Sequence, residues 1–368
     1  MSRLCIVGIL LVSGCRGTDE PVPVHLGHVA TLSGLGKQPG EQAVHGIRLA
    51  VEEIDKDVAK YLGRKVVVRH TDAKDSLDAF ETEAVRLAAV SQVRGLYGGL
   101  TEEEVRRLDL SRVPVVTPLG LRPRTLSDLV FSIGITPEVQ GKTLAQYIAE
   151  ELNTTAVLVL VDDSRDESLL FSEAFARGFV ASWKRKHGEE TALPRVLRFG
   201  TDRQLAKLAA DMPKLDANVL VFAGTARDLK NLPGAWLKDE STLVFAGDDG
   251  SLAGAETTVG RPMVRLTAFH PDGSPRGAEF ARRYRDAFKE APGVQAALAY
   301  EGIMLLVEAL RTGQAPAPDK IRDELLKIKD FSGLSGKLAF TAERQLARPV
   351  FVVHSDGSEK KLLKRYDP

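Results

Sequence analysis

The sequence predicts an α/β protein built on two mostly parallel sheets. Three observations point there. The chain has 368 residues, more than one ordinary core takes and comfortable for two. Apolar strand-like runs alternate with helical patterns almost to the end, in two successive series. No low-complexity linker separates the series, so strand-like crossovers are expected to join them.

In the first series, Val24 to Thr31 reads as a strand, followed by the Gly-rich turn Ser33 to Gly40. Glu41 to Asp55 then carries Ala43, Ile47, Ala50, Val51 and Ile54 on one helical face. Val66 to His70 is the next strand and Ser76 to Val90 the next helix. Arg94 to Tyr97 forms the third strand, before Gly98-Gly99, and Val113 to Thr117 the fourth. The second series opens with a helix over Pro137 to Leu152. Ala156 to Val161 is apolar and β-branched enough to be buried on both faces. A helix at Leu169 to His187, a strand at Val196 to Phe199 and a helix at Asp202 to Met212 follow. Strands at Val219 to Ala223, Thr242 to Ala246 and Val264 to Phe269 complete the set. Helices at Gly277 to Lys289, Val294 to Arg311 and Pro318 to Ile328 come next. Lys337 to Phe340 and Val350 to His354 are expected to close the chain as a hairpin.

Composition excludes some classes. Lys+Arg and Asp+Glu each number 50, so no bulk field attracts nucleic acid. H-E-x-x-H, G-x-S-x-G and C-x-x-C are absent, and the seven histidines lack metal-ligand spacing. No catalytic residue, metal site or cofactor is therefore expected. The turn glycines Gly34, Gly36 and Gly40 approach G-x-G-x-x-G, but the third is one residue late and Pro39 interrupts the approach to the helix. A solute-cleft or structural turn fits better than a dinucleotide site, which leaves an anchored nucleotide-dependent oxidoreductase as a rival.

At the N-terminus Arg3 precedes a nine-residue apolar run, Leu4 to Val12, too short to span a bilayer and suited to a cleavable signal peptide. Val12-Ser13-Gly14-Cys15 resembles the bacterial lipobox, which implies cleavage before Cys15, lipidation of its sulfur and a tether from Arg16 to Pro23. A plain secretory signal, or a buried strand with an incidental cysteine, are the alternatives. Cys5 leaves with the signal, so no internal disulfide forms in the mature chain.

Gly27 to Gly34, Gly40 and the helix Gly46 to Ile54 resemble the type I periplasmic binding proteins, above all the leucine/isoleucine/valine-binding branch. Four further stretches match in order. They are Gly98 to Thr101, Pro114 to Pro118, Gly224 with Gly247 to Gly250, and Gly333 to Phe340. The resemblance covers essentially the whole mature chain. It implies two doubly wound lobes joined by three hinge crossovers near Ile133, Thr267 and Asp330. One lobe would hold residues 24–133 with 268–330, and the other 134–267 with 331–368. It further implies a small amino acid-like ligand held between the lobes, delivery to an ABC permease, and an envelope location on the lipid anchor. A ligand-sensing or structural lipoprotein that has lost transport-type binding is the alternative.

In such sheets ligands sit beyond the carboxyl ends of the strands. Thr101 is the residue type that binds the ligand carboxylate in the resembled family; it equally reads as a helix N-cap before Glu102, Glu103 and Glu104. Leu119, Gly120 and Leu121 stand where the family usually places small and hydroxyl residues, and Arg122 or Arg124 would supply an anion donor instead, unless that loop is simply solvated. Asp162, Asp163, Asp166 and Glu167 crowd one strand end, with Glu167 near a position often occupied by tyrosine; they suit a cationic group or a solvated loop. Thr225 and Ala226 occupy another edge that commonly carries tyrosine. Asp249 aligns with the acid that pairs the ligand ammonium, or is a turn aspartate. Tyr300 and Gln295 are weaker candidates. Trp183 beside Lys184, Arg185 and Lys186 reads as a cationic helix end, or as an interaction patch.

Overall fold

The computed structural model describes residues 21–34, 36–121, 126–152, 154–163, 166–188, 193–211, 217–224, 243–248, 260–312, 317–357 and 359–368. The first sheet is entirely parallel. Its strands are β1 (Val24–Ala30), β2 (Val66–Asp72), β3 (Leu96–Gly98), β4 (Val115–Thr117) and β5 (Val130–Ser132), in the order β2-β1-β3-β4-β5. Helices α1 (Lys37–Lys56), α2 (Val58–Tyr61), α3 (Leu77–Ala89) and α4 (Glu102–Asp109) link them. After α5 (Pro137–Glu151) the second sheet begins. It holds β6 (Val157–Asp162), β7 (Arg195–Phe199), β8 (Val219–Ala223), β9 (Leu243–Asp248) and β10 (Met263–Thr267), with α6 (Asp166–His187) and α7 (Asp202–Asp211) as crossovers. Every residue of β6 and β8 is buried, as helix-covered parallel strands require.

The chain then returns to the first sheet. Helices α8 (Pro275–Phe288), α9 (Val294–Thr312) and α10 (Pro318–Lys327) cover it, with α9 packed on α1. A Cβ on Gly46 would stand 2.0 Å from the Ala296 carbonyl oxygen, so these two helices touch backbone to backbone and position 46 of α1 must be bare. Phe331–Ser332 (β11), Lys337–Phe340 (β12) and Leu346–Ala347 (β13) form a small antiparallel sheet, and Val350–Ser355 (β14) and Lys360–Tyr366 (β15) finish the large one. The full order of the second sheet is β15-β14-β10-β9-β8-β6-β7.

Three sequence expectations need correction. The first helix starts at Lys37, with Pro39 inside its opening turn, where a missing N–H costs nothing because no acceptor faces it. The stretches at Lys337 and Val350 do not form a hairpin. The first pairs with β11 and β13, whereas Val350–Ser355 runs antiparallel to β10 and β15. The lysine-rich β15 was not expected as a strand. It lies at a sheet edge, where cations discourage pairing with another chain.

One side chain fixes how the sheets meet. Arg348, 4% exposed, donates from Nη1 to the Ile133 carbonyl (2.9 Å) and from Nη2 to the Ala268 carbonyl (2.8 Å) and to Glu301 Oε2 (2.9 Å). Ile133 directly follows β5, and Ala268 directly follows β10. The carboxyl ends of the two sheets therefore converge on a single guanidinium. The fully buried Glu301 of α9 accepts the Leu334 amide (2.6 Å) with its other oxygen, and Ser335 donates to the Ala268 carbonyl (2.7 Å). All three passages of the chain between the sheets meet there. Removing one partner of a buried pair strands the other charge. Glu301→Leu is therefore expected to cost about 3–5 kcal/mol in urea unfolding. Glu301→Leu with Arg348→Met should recover part of that loss; a single-variant cost near zero would deny the pair this role.

Candidate functional site

The carboxyl edge of the first sheet is assembled by close backbone approach. Gly98 (φ +151) ends β3 and Gly99 (φ +82) follows it, and a Cβ on Gly98 would lie 2.2 Å from the Val29 carbonyl oxygen. Thr117, fully buried at the end of β4, donates its hydroxyl to the Gly99 carbonyl (2.9 Å) and ties the two strand tips together. Thr101 then caps α4. Its Oγ1 accepts the Glu104 amide (3.2 Å), while Glu104 Oε2 accepts the amides of Leu100 (2.6 Å) and Thr101 (3.1 Å). This is a reciprocal capping box, and its signature, Thr followed three residues later by Glu, was present in the sequence at 101 and 104. Burial raises the Glu104 carboxyl above its ordinary range, a shift that the two amides oppose and that Asp75 adds to.

Behind these tips His28, Tyr97, Pro118 and Gln295 line a cavity of about 20 Å³, which also touches Gly98, Gly99 and Glu104. That holds about one water. His28 and His70 sit in register on β1 and β2, with Nδ1 atoms 3.0 Å apart, so one imidazole donates to the other. The Tyr97 hydroxyl is buried and, among the described residues, without a hydrogen-bond partner. A larger groove of about 470 Å³ opens elsewhere, between Tyr61, Arg276, Met304 and the crossover at 328–332. Its acids are already committed: Glu308 to Arg311, Glu324 to Lys327 and Asp330 to Lys337.

Placement of the expected residues is uneven. Thr101 stands at the edge as described. Leu121 is 7% exposed and packed in the core under α3 and α4; its amide donates to Ser132 Oγ (3.1 Å), so both side chain and N–H are engaged in packing the loop. Gly120 allows that packing, since a Cβ there would meet the Ile135 carbonyl oxygen at 1.9 Å. On the second sheet, Asp162 closes β6 fully buried, and Asp163 pairs with Arg198 (3.2 Å). Glu167 lies in the first turns of α6 at the same edge. The positions of Thr225 and Ala226 follow β8, and that of Asp249 follows β9, but these residues, like Cys15, Arg122 and Arg124, fall outside the described set.

Gln295 is at the edge, whereas Tyr300 is not. Its hydroxyl donates to Glu53 Oε2 (2.6 Å) in a cluster with Arg276 and Arg283 that binds α1, α8 and α9. Trp183, 1% exposed, is a core residue, and the cations after it form the last turn of α6. Among the described residues no three His, Cys, Asp or Glu side chains gather as a metal set. His28 and Glu104 were missed; a polar residue inside an otherwise apolar strand was the available signal for the first.

These features define a class: two mostly parallel sheets whose carboxyl ends meet at one place, with glycine turns and a helix N-terminus at the edge. The comparisons agree. The profile described as periplasmic binding protein matches residues 23–360, and the chain belongs to that family, in its type I form. A leucine-binding protein of Thermotoga maritima aligns at 18% identity with a TM-score of 0.74, covering 94% of this chain and 99% of that one. A branched-chain amino acid transporter substrate-binding protein of Streptococcus pneumoniae, in complex with isoleucine, aligns at 21% and 0.71, covering 94% and 100%. A solute-binding protein of R. palustris in complex with 4-hydroxybenzoate aligns at 14% and 0.74, covering 94% and 97%. No curated protein matches the sequence.

The His28 imidazole is held well below its ordinary pKa, first by burial and then by His70. A depressed imidazole keeps the folded state neutral while the unfolded chain takes up the proton near pH 6.5. Its contribution is fully present above that pH and is lost as pH falls below it. Urea unfolding at pH 7 and pH 5 should show a smaller loss of stability on acidification in His28→Leu than in the parent; equal losses would contradict the assignment.

Proposed function

We propose that the chain is the extracytoplasmic solute receptor of an ABC-type transporter. It takes a small polar, amino-bearing solute between two lobes and presents the closed form to a permease in the inner membrane. The lobes are residues 24–133 with 268–330 and 134–267 with 331–368. Residues 1–14 act as the signal peptide, and Cys15 carries the lipid that holds the chain at the membrane through residues 15–23. The receptor carries out no catalysis and needs no cofactor.

The observation that carries this reading is the convergence of both sheets' carboxyl ends at Arg348. Where two such edges adjoin, solute contacts made to both at once favour the closed arrangement. Thr101 contributes from the first edge. Its hydroxyl oxygen accepts the cap bond while its proton remains to donate to the solute. Asp249, immediately after β9, pairs the solute's ammonium from the second edge.

Mass spectrometry of small molecules carried through native purification identifies the solute. With that solute, Thr101→Ala and Asp249→Ala are each expected to weaken binding about tenfold, or ~1.4 kcal/mol. Thr101→Ala should also lower folding stability by about 1 kcal/mol through its cap, whereas Asp249→Ala should not. Unchanged affinity in both variants would place the site elsewhere. A chain that emerges empty would favour a sensing or structural lipoprotein.

A further inference from the structure

Two buried polar groups where the sheets join have no hydrogen-bond partner among the described residues: the Arg348 Nε–H and the Tyr97 hydroxyl. Each is costly to leave unmet. They are also complementary, because a guanidinium N–H can only donate, whereas a phenol oxygen accepts and its proton donates. Their surroundings place them together. The Tyr97 hydroxyl interacts electrostatically with Glu301 and with Arg348, the ion pair at the crossovers.

Tyr97 also belongs to the first edge. It stands in β3 directly before Gly98, with its ring centroid 5.8 Å from that of His28, and it lines the cavity there together with Gln295. Gly302 of α9 makes room for the ring, since a Cβ at 302 would stand 2.5 Å from the Tyr97 Cδ2. The neighbouring Glu301 is held from the other side. Its Oε1 accepts the Leu334 amide (2.6 Å), and a Cβ on Gly333 would lie 2.7 Å from that oxygen. Arg348 lies between β13 and β14, the latter a strand of the second sheet, so the two unmet groups belong to opposite sheets. Among the described residues, the lining of the first-edge cavity comes from the first sheet and its helices alone, so the second edge stands clear of it.

We infer that Tyr97 is a positioning residue for lobe closure. When the lobes rotate together, Arg348 Nε donates to the Tyr97 oxygen and the Tyr97 hydroxyl donates to Glu301. The closed arrangement thereby gains two hydrogen bonds that the open one lacks, which biases the equilibrium towards it. This rests on the receptor reading and adds to it a device at the crossovers that favours closure.

The test needs no solute. Closure is driven instead by a polyethylene glycol too large to enter the gap, because a polymer excluded from the protein surface favours arrangements that expose less of it. Spin labels on Lys37→Cys and Arg203→Cys report the distance between the edges, in a full chain that carries Cys5→Ser and Cys15→Ser and is dialysed free of small molecules. The parent distribution should move to shorter distance as the polymer is raised. In Tyr97→Phe the closed-to-open ratio at the same polymer concentration should fall about tenfold. Urea unfolding of Tyr97→Phe without polymer should match the parent, since the hydroxyl has no partner in the open chain. An equal or larger shift in Tyr97→Phe would overturn the inference, as would a parent that does not respond to the polymer. So would a Tyr97→Phe chain that unfolds at lower urea, because the hydroxyl would then already be bonded in the open form. None of these outcomes turns on a solute, so failure here is distinct from failure of the receptor reading, which native mass spectrometry decides.

Discussion

Burying the Arg348 guanidinium is expensive unless every donor it points inward finds an acceptor and its charge finds a counter-ion. Glu301 supplies the counter-ion, and the Ile133 and Ala268 carbonyls supply acceptors. Those carbonyls belong to the residues that leave the ends of β5 and β10. Pairing its two terminal nitrogens, with Nε left without a hydrogen-bond partner among the described residues, therefore brings the carboxyl edges of two separate sheets to a common point. Ser335 and the Leu334 amide add the third passage of chain to the same cluster.

At the first edge, the local chemistry is governed by what the backbone can approach. Gly98 and Gly99 permit β3 to turn against Val29, and Thr117 locks that turn to β4. Just before the helix that starts there, the amides of Leu100 and Thr101 are held by Glu104. At the second edge Asp162 stands fully buried at the tip of β6.

Much of this was legible in the residues. Strands buried on both faces, such as Val157–Asp162 and Val219–Ala223, announce themselves as continuous apolar runs, and α3 falls within a residue of its expected bounds. The short β5 carries too little pattern to be seen, and β15 hides its pairing under lysines suited to an edge. The partner of β14 could not be read locally, because pairing with β10 joins residues some ninety positions apart while a hairpin with β12 is the nearer choice. At the site, Thr101 was found through its glycines, but a single side chain can cap a helix and face a ligand. Only the distances from Glu104 show how the amides are used.

The account stands or falls on whether the two edges close over a solute. Lys37 opens α1 beside the first edge and Arg203 is the second residue of α7 beside the second, both exposed. Spin labels on cysteines at these positions, with Cys5 and Cys15 replaced by serine, report the distance across the gap by pulsed electron resonance. The account predicts that the distribution shifts to shorter distance when the solute released from native protein is added back. A distribution unchanged at saturating solute would contradict it.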